Sequence, residues 1–230
     1  MVIIKKDKLG GGVIMNIKIS IVIFILLSFL NIGAISNEVR NTENSFNVLE
    51  TNIAKLSEFR ENGVKLQYKT RDDIEKEGSR INEYLTYDNK GKCREINNNQ
   101  FEIINNDFYT NIKMWCEDKY TYVEITLINK NPKFSTVDLK SIVQKVENQK
   151  VENRQYFFYY EGREKDVDNN YSIDKLANEN GIQNPYLLQI ENGYTGTGYL
   201  SNGDKINFAL INYNSGSHII IGTPIIFATY

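Results

Sequence analysis

A pattern of helices and strands that occurs twice is the feature that most constrains the fold of this chain. In its first occurrence, apolar residues recur at three- and four-residue spacing and predict a helix over 46–62, which Gly63 ends. A strand at 64–70 and a second helix that begins near Asp72 come next. Four alternating segments then predict strands at 92–97, 99–105, 108–116 and 120–129.

The same order of elements returns in the second half of the chain. A third helix begins near Ser135, a strand runs over 154–161, and a fourth helix runs from Ser172 to Gly181. Asn-Gly and Ser-Gly turns separate the remaining segments, which predict strands at 186–191, 194–200, 205–213 and 218–228. We therefore expect an α+β fold, in which a duplicated helix-strand-helix-four-strand unit forms one curved antiparallel sheet with helices on one face. Two unrelated α+β subdomains are the alternative.

Residues 15–36 contain the three parts of a secretory signal. Lys18 supplies a positive start, a nearly unbroken apolar run follows, and small residues at its end suit cleavage after Ser36. The apolar run is also long enough, at roughly 20 residues, to remain as a membrane anchor. We interpret 1–36 as a signal peptide or an N-terminal membrane anchor, and we hypothesise that translation starts at Met15.

The rest of the chain divides into three predicted parts. Residues 37–45 are polar and are predicted to form a flexible lead-in. The first half of the repeat covers 46–131 and the second covers 132–230. Whether the export segment is cleaved or retained as an anchor, we expect these parts to lie outside the cytoplasm, either secreted or anchored on the outer side of the membrane.

Charge and composition narrow the range of partners. The chain has a net charge of −2, and the remainder is more acidic because the export segment is positive. Nucleic-acid binding needs Lys and Arg to displace counterions from phosphates, so we expect no nucleic-acid partner. The glycine-rich fragments lack the lysine and the helix of a phosphate loop, and we expect no cofactor. The abundance of Ile, Asn, Lys and Tyr indicates a low-GC Gram-positive bacterium.

The two cysteines, Cys93 and Cys116, are expected to form a disulfide. In an oxidising compartment a bridge between them would close a 24-residue loop and contribute about 3 kcal/mol to stability. Two buried thiols and half of a metal site are the alternatives. A metal site needs further ligands, and the chain has one histidine, His218, so we expect no metal.

No catalytic arrangement stands out in the sequence. A serine or cysteine nucleophile would need His218, but SGSHIII around it predicts a histidine at a turn or at the edge of a strand. The segment DVDNNYSID at 166–174 resembles a calcium loop, but Tyr171 replaces the loop glycine and Ala177 replaces the bidentate glutamate. A capped turn is therefore expected there. We expect no catalytic residues, although an Asp/Glu pair of the glycosidase type stays open, since any two acids can meet in space.

Aromatic residues supply the candidate binding surface. In the strand RQYFFYYE, alternation puts Tyr156, Phe158 and Tyr160 on one face, and Phe157 and Tyr159 on the other. One set must pack under the helices, and the other must lie on the open face. We predict one binding face, formed by Tyr156, Phe158, Tyr160, Tyr120 and Tyr122. A sheet that is simply rich in tyrosine is the alternative.

The chain resembles the YwmB family, exported proteins of Firmicutes with a fold like that of the TATA-box-binding protein. The segments that carry the resemblance are the export segment, IKMWCEDKYTYVEITLI at 112–128, and GYTGTG, INFALINYN and HIIIGTPIIFATY within 193–230. The resemblance implies a saddle-shaped sheet of ten strands. The chain departs from a TATA-binding saddle by ending in a strand without a closing helix, and the helix at 46–62 is a candidate for that place.

The resemblance carries no DNA-binding role to this chain. A DNA saddle needs basic residues and paired aromatic wedges aimed at the minor groove, whereas this chain is acidic and exported. We expect a non-enzymatic extracytoplasmic protein that binds a protein, a peptide or an envelope component. The alternative is a hydrolase of cell-wall glycan that uses an Asp/Glu pair.

Overall fold

The structure is a computed structural model that describes residues 39–89, 91–165 and 172–228. The predicted export segment and most of the calcium-like loop lie outside these residues. The described chain has an α+β fold with one antiparallel sheet of ten strands and four helices. No helix among the described residues is long and apolar enough to cross a membrane.

The helices and strands have the following bounds. The helices are α1 (Val39–Leu56), α2 (Ile74–Asn89), α3 (Thr136–Gln144) and α4 (Ile173–Glu179). The strands of the first half are β1 (Ser57–Thr70), β2 (Lys92–Asn97), β3 (Gln100–Ile104), β4 (Phe108–Glu117) and β5 (Tyr120–Asn129). Those of the second half are β6 (Glu152–Glu164), β7 (Gln183–Ile190), β8 (Gly193–Tyr199), β9 (Lys205–Tyr213) and β10 (Gly216–Thr223).

Strands β1 and β6 lie side by side at the centre of the sheet. The spatial order is β2-β3-β4-β5-β1-β6-β10-β9-β8-β7, so five strands of each half extend outward from this central pair. The pairing is antiparallel, with Val64 opposite Phe158 and Leu66 opposite Tyr156. Both halves therefore have the predicted order of helix, strand, helix and four strands.

Buried apolar side chains of all four helices join one face of the sheet in a single core. Phe46 of α1, Ile81 of α2, Val143 of α3 and Leu176 of α4 are each fully buried in it. The strand residues in this core alternate along each strand, as Val64, Leu66 and Tyr68 do on β1. Burying each large apolar side chain contributes about 1.5–3 kcal/mol, so this layer holds the helices on the sheet.

A buried polar cluster ties α1 and α3 to the central strand. The carboxylate of Glu50 accepts hydrogen bonds from the Asn62 side-chain amide at 3.0 Å and from the Thr136 backbone amide at 3.3 Å. Asn62 also donates to the carbonyl oxygen of Phe134 at 2.9 Å. Burial raises the pKa of Glu50, and these hydrogen bonds oppose that shift.

The first helix and strand differ from their predicted bounds. Helix α1 begins at Val39, inside the predicted flexible lead-in, and ends at Leu56. Gly63 does not end a helix, because it lies within β1. A side chain at Gly63 would come within 2.6 Å of the Ile128 side chain on β5, so contact across the sheet requires glycine there.

The last strand is also shorter than predicted. Strand β10 ends at Thr223, and the next residue, Pro224, has no amide hydrogen to continue the ladder. Residues 224–228 instead fold over the sheet face opposite the helices, where Phe227 packs near Tyr159. Gly222 permits this close approach, since a side chain there would meet the carbonyl oxygen of Ile225 at 2.8 Å.

The predicted disulfide between Cys93 and Cys116 is wrong. Both cysteines are free and exposed. Cys93 pairs with Ile103, which pairs with Thr110, and Thr110 lies six positions before Cys116 on β4. At about 3.3 Å per residue the two cysteines are about 20 Å apart along the strands, whereas a disulfide needs Cα atoms within about 7 Å.

We predict that the folded protein contains two free thiols. Ellman's reagent added to the native protein is expected to titrate both Cys93 and Cys116, with the same total after unfolding in urea, because both side chains are exposed. The Cys93→Ser variant provides the control and should lose one equivalent. Fewer than two thiols in the native protein, restored by a reductant, would contradict the strand register.

Candidate functional site

The sheet face opposite the helices carries the candidate functional residues, and we call it the open face. Its middle is covered by the C-terminal segment, since Ile226 and Phe227 pack on a small apolar cluster that includes Tyr159, Ile220 and Ile211. Two polar regions of the open face lie beyond this cluster. They are at opposite ends of β1, one near Lys69 and the other near Glu61.

Three of the predicted binding-face residues lie on the helix side of the sheet. Tyr156, Phe158 and Tyr160 are at most 6% exposed and belong to the core under the helices. The register explains their position, because they pair with β1 residues that also face the helices. The prediction that these three share an exposed face with Tyr120 and Tyr122 is therefore corrected.

Tyr120 and Tyr122 lie on the open face and belong to what we call the aromatic–cation patch. The patch is formed by Lys69, Arg71, Trp115, Tyr120 and Tyr122. Trp115 and Tyr122 are partners across β4 and β5, and their rings stack at a centroid distance of 5.6 Å and an interplanar angle of 10°. Such stacking contributes roughly 0.5–1.5 kcal/mol beyond simple burial.

Two cations flank Tyr120 in this patch. The Lys69 ammonium lies 4.0 Å from the centroid of the Tyr120 ring, and the Arg71 guanidinium lies 5.6 Å from it. Arg71 also donates to the Tyr120 hydroxyl at 3.4 Å and pairs with Glu152 at 3.7 Å, with its side chain 73% exposed. Among the described residues Lys69 makes no ion pair. The patch thus presents positive charge next to half-buried aromatic rings.

The second region is a cluster of hydrogen-bonded groups at the other end of the open face. We call Glu61, Tyr159, Glu161, Ser215 and His218 the Glu161–His218 cluster. His218 Nδ1 lies 2.6 Å from Glu161 Oε1, and His218 Nε2 lies 3.0 Å from Ser215 Oγ. The Tyr159 hydroxyl donates to Glu161 Oε2 at 2.6 Å and lies 3.4 Å from Glu61 Oε1.

Burial and a neighbouring carboxylate shift the pKa of groups in this cluster. Burial, followed by repulsion from Glu161, raises the pKa of Glu61, while Lys130 and the Tyr159 hydroxyl partly offset the rise. Burial and Glu161 also raise the pKa of Tyr213, whose ring meets the His218 ring edge-on at 4.9 Å. The cluster thus brings two carboxyl groups together where water has limited access.

The sequence pattern correctly predicted the local structure of His218, but it did not predict which side chains form hydrogen bonds with the imidazole. Its position in β10 next to a turn agrees with the SGSHIII pattern. Glu161 is 57 residues away and reaches His218 only because β10 pairs with β6. No group of three or more His, Cys, Asp or Glu within the described part of the chain is arranged to hold a metal ion.

No protein-family model and no curated protein sequence matches the chain. The resemblance to the YwmB family therefore stays a prediction from the sequence.

We predict that Glu61→Gln makes the protein more stable than wild type at pH 7, because the amide carries no charge to bury beside Glu161. The pKa of Glu61 is higher in the folded state than in the unfolded state, where it is about 4.3. Wild type therefore loses stability as the pH rises from that value through the folded-state pKa. The stability difference should therefore shrink toward pH 4. Urea unfolding at both pH values measures it.

Glu83→Gln on the exposed surface of α2 is the matched control for this substitution. Its stability difference from wild type should be small at both pH values. A Glu61→Gln protein that is less stable than wild type at pH 7 would contradict the assigned cause of the shift.

Proposed function

We propose that the chain is an exported binding protein of the YwmB type, whose two halves arose by duplication and form a saddle like that of the TATA-box-binding protein. Two features support this proposal. Each half has the same order of seven elements, and strands β5, β4, β3 and β2 on one side of the central pair correspond to β10, β9, β8 and β7 on the other. The helices cover one face, and the C-terminal segment covers only the middle of the other, whose two ends are proposed for function.

The aromatic–cation patch is the observation that carries the binding role. Lys69 and Arg71 concentrate positive charge on one end of the open face of a chain whose net charge is −2. The Lys69 ammonium, which lies over the Tyr120 ring and makes no ion pair among the described residues, has its outward side available to an anion, whereas Arg71 also pairs with Glu152. The adjoining Trp115–Tyr122 stack offers apolar contact. This chemistry suits an anionic polymer of the cell envelope.

Nucleic acid is outside this proposal. The patch is small, and the chain as a whole is acidic, so long-range repulsion opposes a long polyphosphate duplex. Export would also separate the protein from cytoplasmic DNA. We propose that the ligand is an envelope component held in the wall, where the protein and the polymer are both concentrated.

Hydrolysis of cell-wall glycan is the second candidate, and one observation favours it. Glu61 and Glu161 contact the same Tyr159 hydroxyl, which puts the two carboxylates within about 6 Å of each other. Retaining glycosidases separate their two carboxyl groups by about 5–5.5 Å. However, Glu161 already binds both His218 and Tyr159, so its oxygens are engaged as acceptors rather than free to attack a sugar.

The test of the binding role is charge reversal in the patch. We predict that the Lys69→Glu/Arg71→Glu protein binds purified Gram-positive cell walls at least tenfold more weakly than wild type in a sedimentation assay. After acid has extracted the anionic polymers from the walls, wild type should bind them no more strongly than the variant does. Lys133→Glu/Lys175→Glu, with the same change in charge on exposed residues outside the patch, is the matched control.

The same assay separates the two candidate functions. Equal binding by the patch variant and wild type, or equal binding to intact and extracted walls, would overturn the proposed ligand. Reducing sugar ends released from the walls by wild type, and not by Glu61→Gln, would favour the hydrolase instead.

A further inference from the structure

Three side chains of the Glu161–His218 cluster have the geometry of a nucleophile, a base and an orienting acid. Ser215 Oγ lies 3.0 Å from His218 Nε2, and His218 Nδ1 lies 2.6 Å from Glu161 Oε1. Both distances fall in the range of about 2.6–3.2 Å that links the members of serine hydrolase triads. The two imidazole nitrogens thus contact a hydroxyl on one side and a carboxylate on the other.

The fold presents the serine to solvent and holds the other two groups in place. Ser215 is exposed in the turn between β9 and β10, whereas the side chains of His218 and Glu161 are 8% and 15% exposed. The Tyr213 ring packs edge-on against the imidazole, and the Tyr159 hydroxyl fixes the second oxygen of Glu161. An oriented base beside an accessible hydroxyl is the arrangement that activates a serine.

We propose that Ser215, His218 and Glu161 form a hydrolytic centre for small carboxylic esters. Ser215 is the nucleophile and His218 is the general base. Glu161 is a positioning residue that accepts the Nδ1 hydrogen and so leaves Nε2 free to take a proton. This activity goes beyond the binding role of the aromatic–cation patch and does not depend on it.

The reaction balances with an ester and water alone. Ser215 Oγ bonds to the acyl carbon while its proton passes to His218 Nε2, and the bond to the leaving alcohol then breaks as that proton moves to the departing oxygen. Water next attacks the acyl-serine and gives a proton to His218, which returns it to Ser215 Oγ. The products are the alcohol and the carboxylic acid.

Arg163 lies next to the turn that carries Ser215. Its guanidinium lies 3.5 Å from the carbonyl oxygen of Ser215, and its side chain passes beside Gly216 in the same turn. Its ion pair with Glu58 holds the side chain at this end of the open face.

Esters suit this centre better than amides. Departure of an amine requires its protonation by a well-enclosed acid, whereas an alkoxide leaves with less assistance. The nucleophile lies in an exposed hairpin turn, which favours small acyl groups that reach Ser215 without a deep binding pocket.

Covalent labelling of the full chain by a fluorophosphonate probe tests the proposal. We expect intact mass spectrometry to show one phosphonyl group, and peptide mapping to place it on Ser215. The Ser215→Ala protein should take up none. Ser217→Ala removes a hydroxyl from the opposite face of the same hairpin and should label at the wild-type rate.

Glu161→Gln tests the positioning role separately from folding. This variant should label at least tenfold more slowly at saturating probe, while the probe concentration that gives half the maximal rate stays within about twofold of wild type. Thermal unfolding of each variant checks that it is folded, and the Ser215 side chain is exposed at a turn.

Three results would overturn the proposed centre. They are the absence of labelling in wild type at millimolar probe, labelling of Ser215→Ala equal to that of wild type, and a Glu161→Gln protein that is folded and labels at the wild-type rate. None of them bears on binding to cell walls, so the two proposals fail independently.

Discussion

The antiparallel pairing of β1 with β6 is the interaction on which the rest of the structure depends. These two long strands join the two groups of five strands into one sheet, from Ser57 opposite Glu164 to Lys69 opposite Glu152. The pairing places Val64 and Leu66 beside Phe158 and Tyr156, on the face that the helices cover. The core under α1 and α3 therefore exists only when the two halves are in register.

The same register determines which groups meet on the open face. Glu61 lies opposite Glu161, and the Tyr159 hydroxyl touches both carboxylates. Strand β10 then adds His218 from the other side of β6. A shift of one residue between β1 and β6 would send every side chain of one strand to the opposite face, so both regions of the open face and the core would be lost together.

The order of elements could be predicted from the sequence because local patterns encode it. The helical spacing around Phe46 and the alternation in β5 are signals that neighbouring residues carry themselves. The assignment of Tyr156 and Tyr159 to opposite faces followed from alternation, but which face the helices cover did not. Both sets are aromatic in that strand, and only pairing with the apolar set of β1 decides between them.

Three features were predicted wrongly or not at all because contacts between distant parts of the chain decide them. Gly63 was predicted to end a helix. In the structure it lies within a strand, and contact with Ile128 on the next strand excludes a side chain there. Cys93 and Cys116 read as a pair, whereas the register of β2, β3 and β4 separates them. The contact of His218 with Glu161 joins residues from two strands that are distant in the chain, and no spacing in the sequence records it.

The two proposed roles occupy opposite ends of one strand-built surface, which the C-terminal segment divides. Binding at the aromatic–cation patch and chemistry at Ser215 therefore need no conformational coupling. Each needs only the rigid sheet that the central pair creates. The C-terminal segment covers the middle of the open face, so each proposed role uses one end of that face.

Native-state hydrogen exchange measured by mass spectrometry tests the central importance of the β1–β6 pair most directly. Peptides from 57–70 and 152–164 should be the last to exchange, at one shared rate set by global unfolding, whereas the edge strands β2 and β7 should exchange first. Different rates for these two peptides, each matching the other strands of its own half, would show that the halves unfold separately. That result would contradict the account.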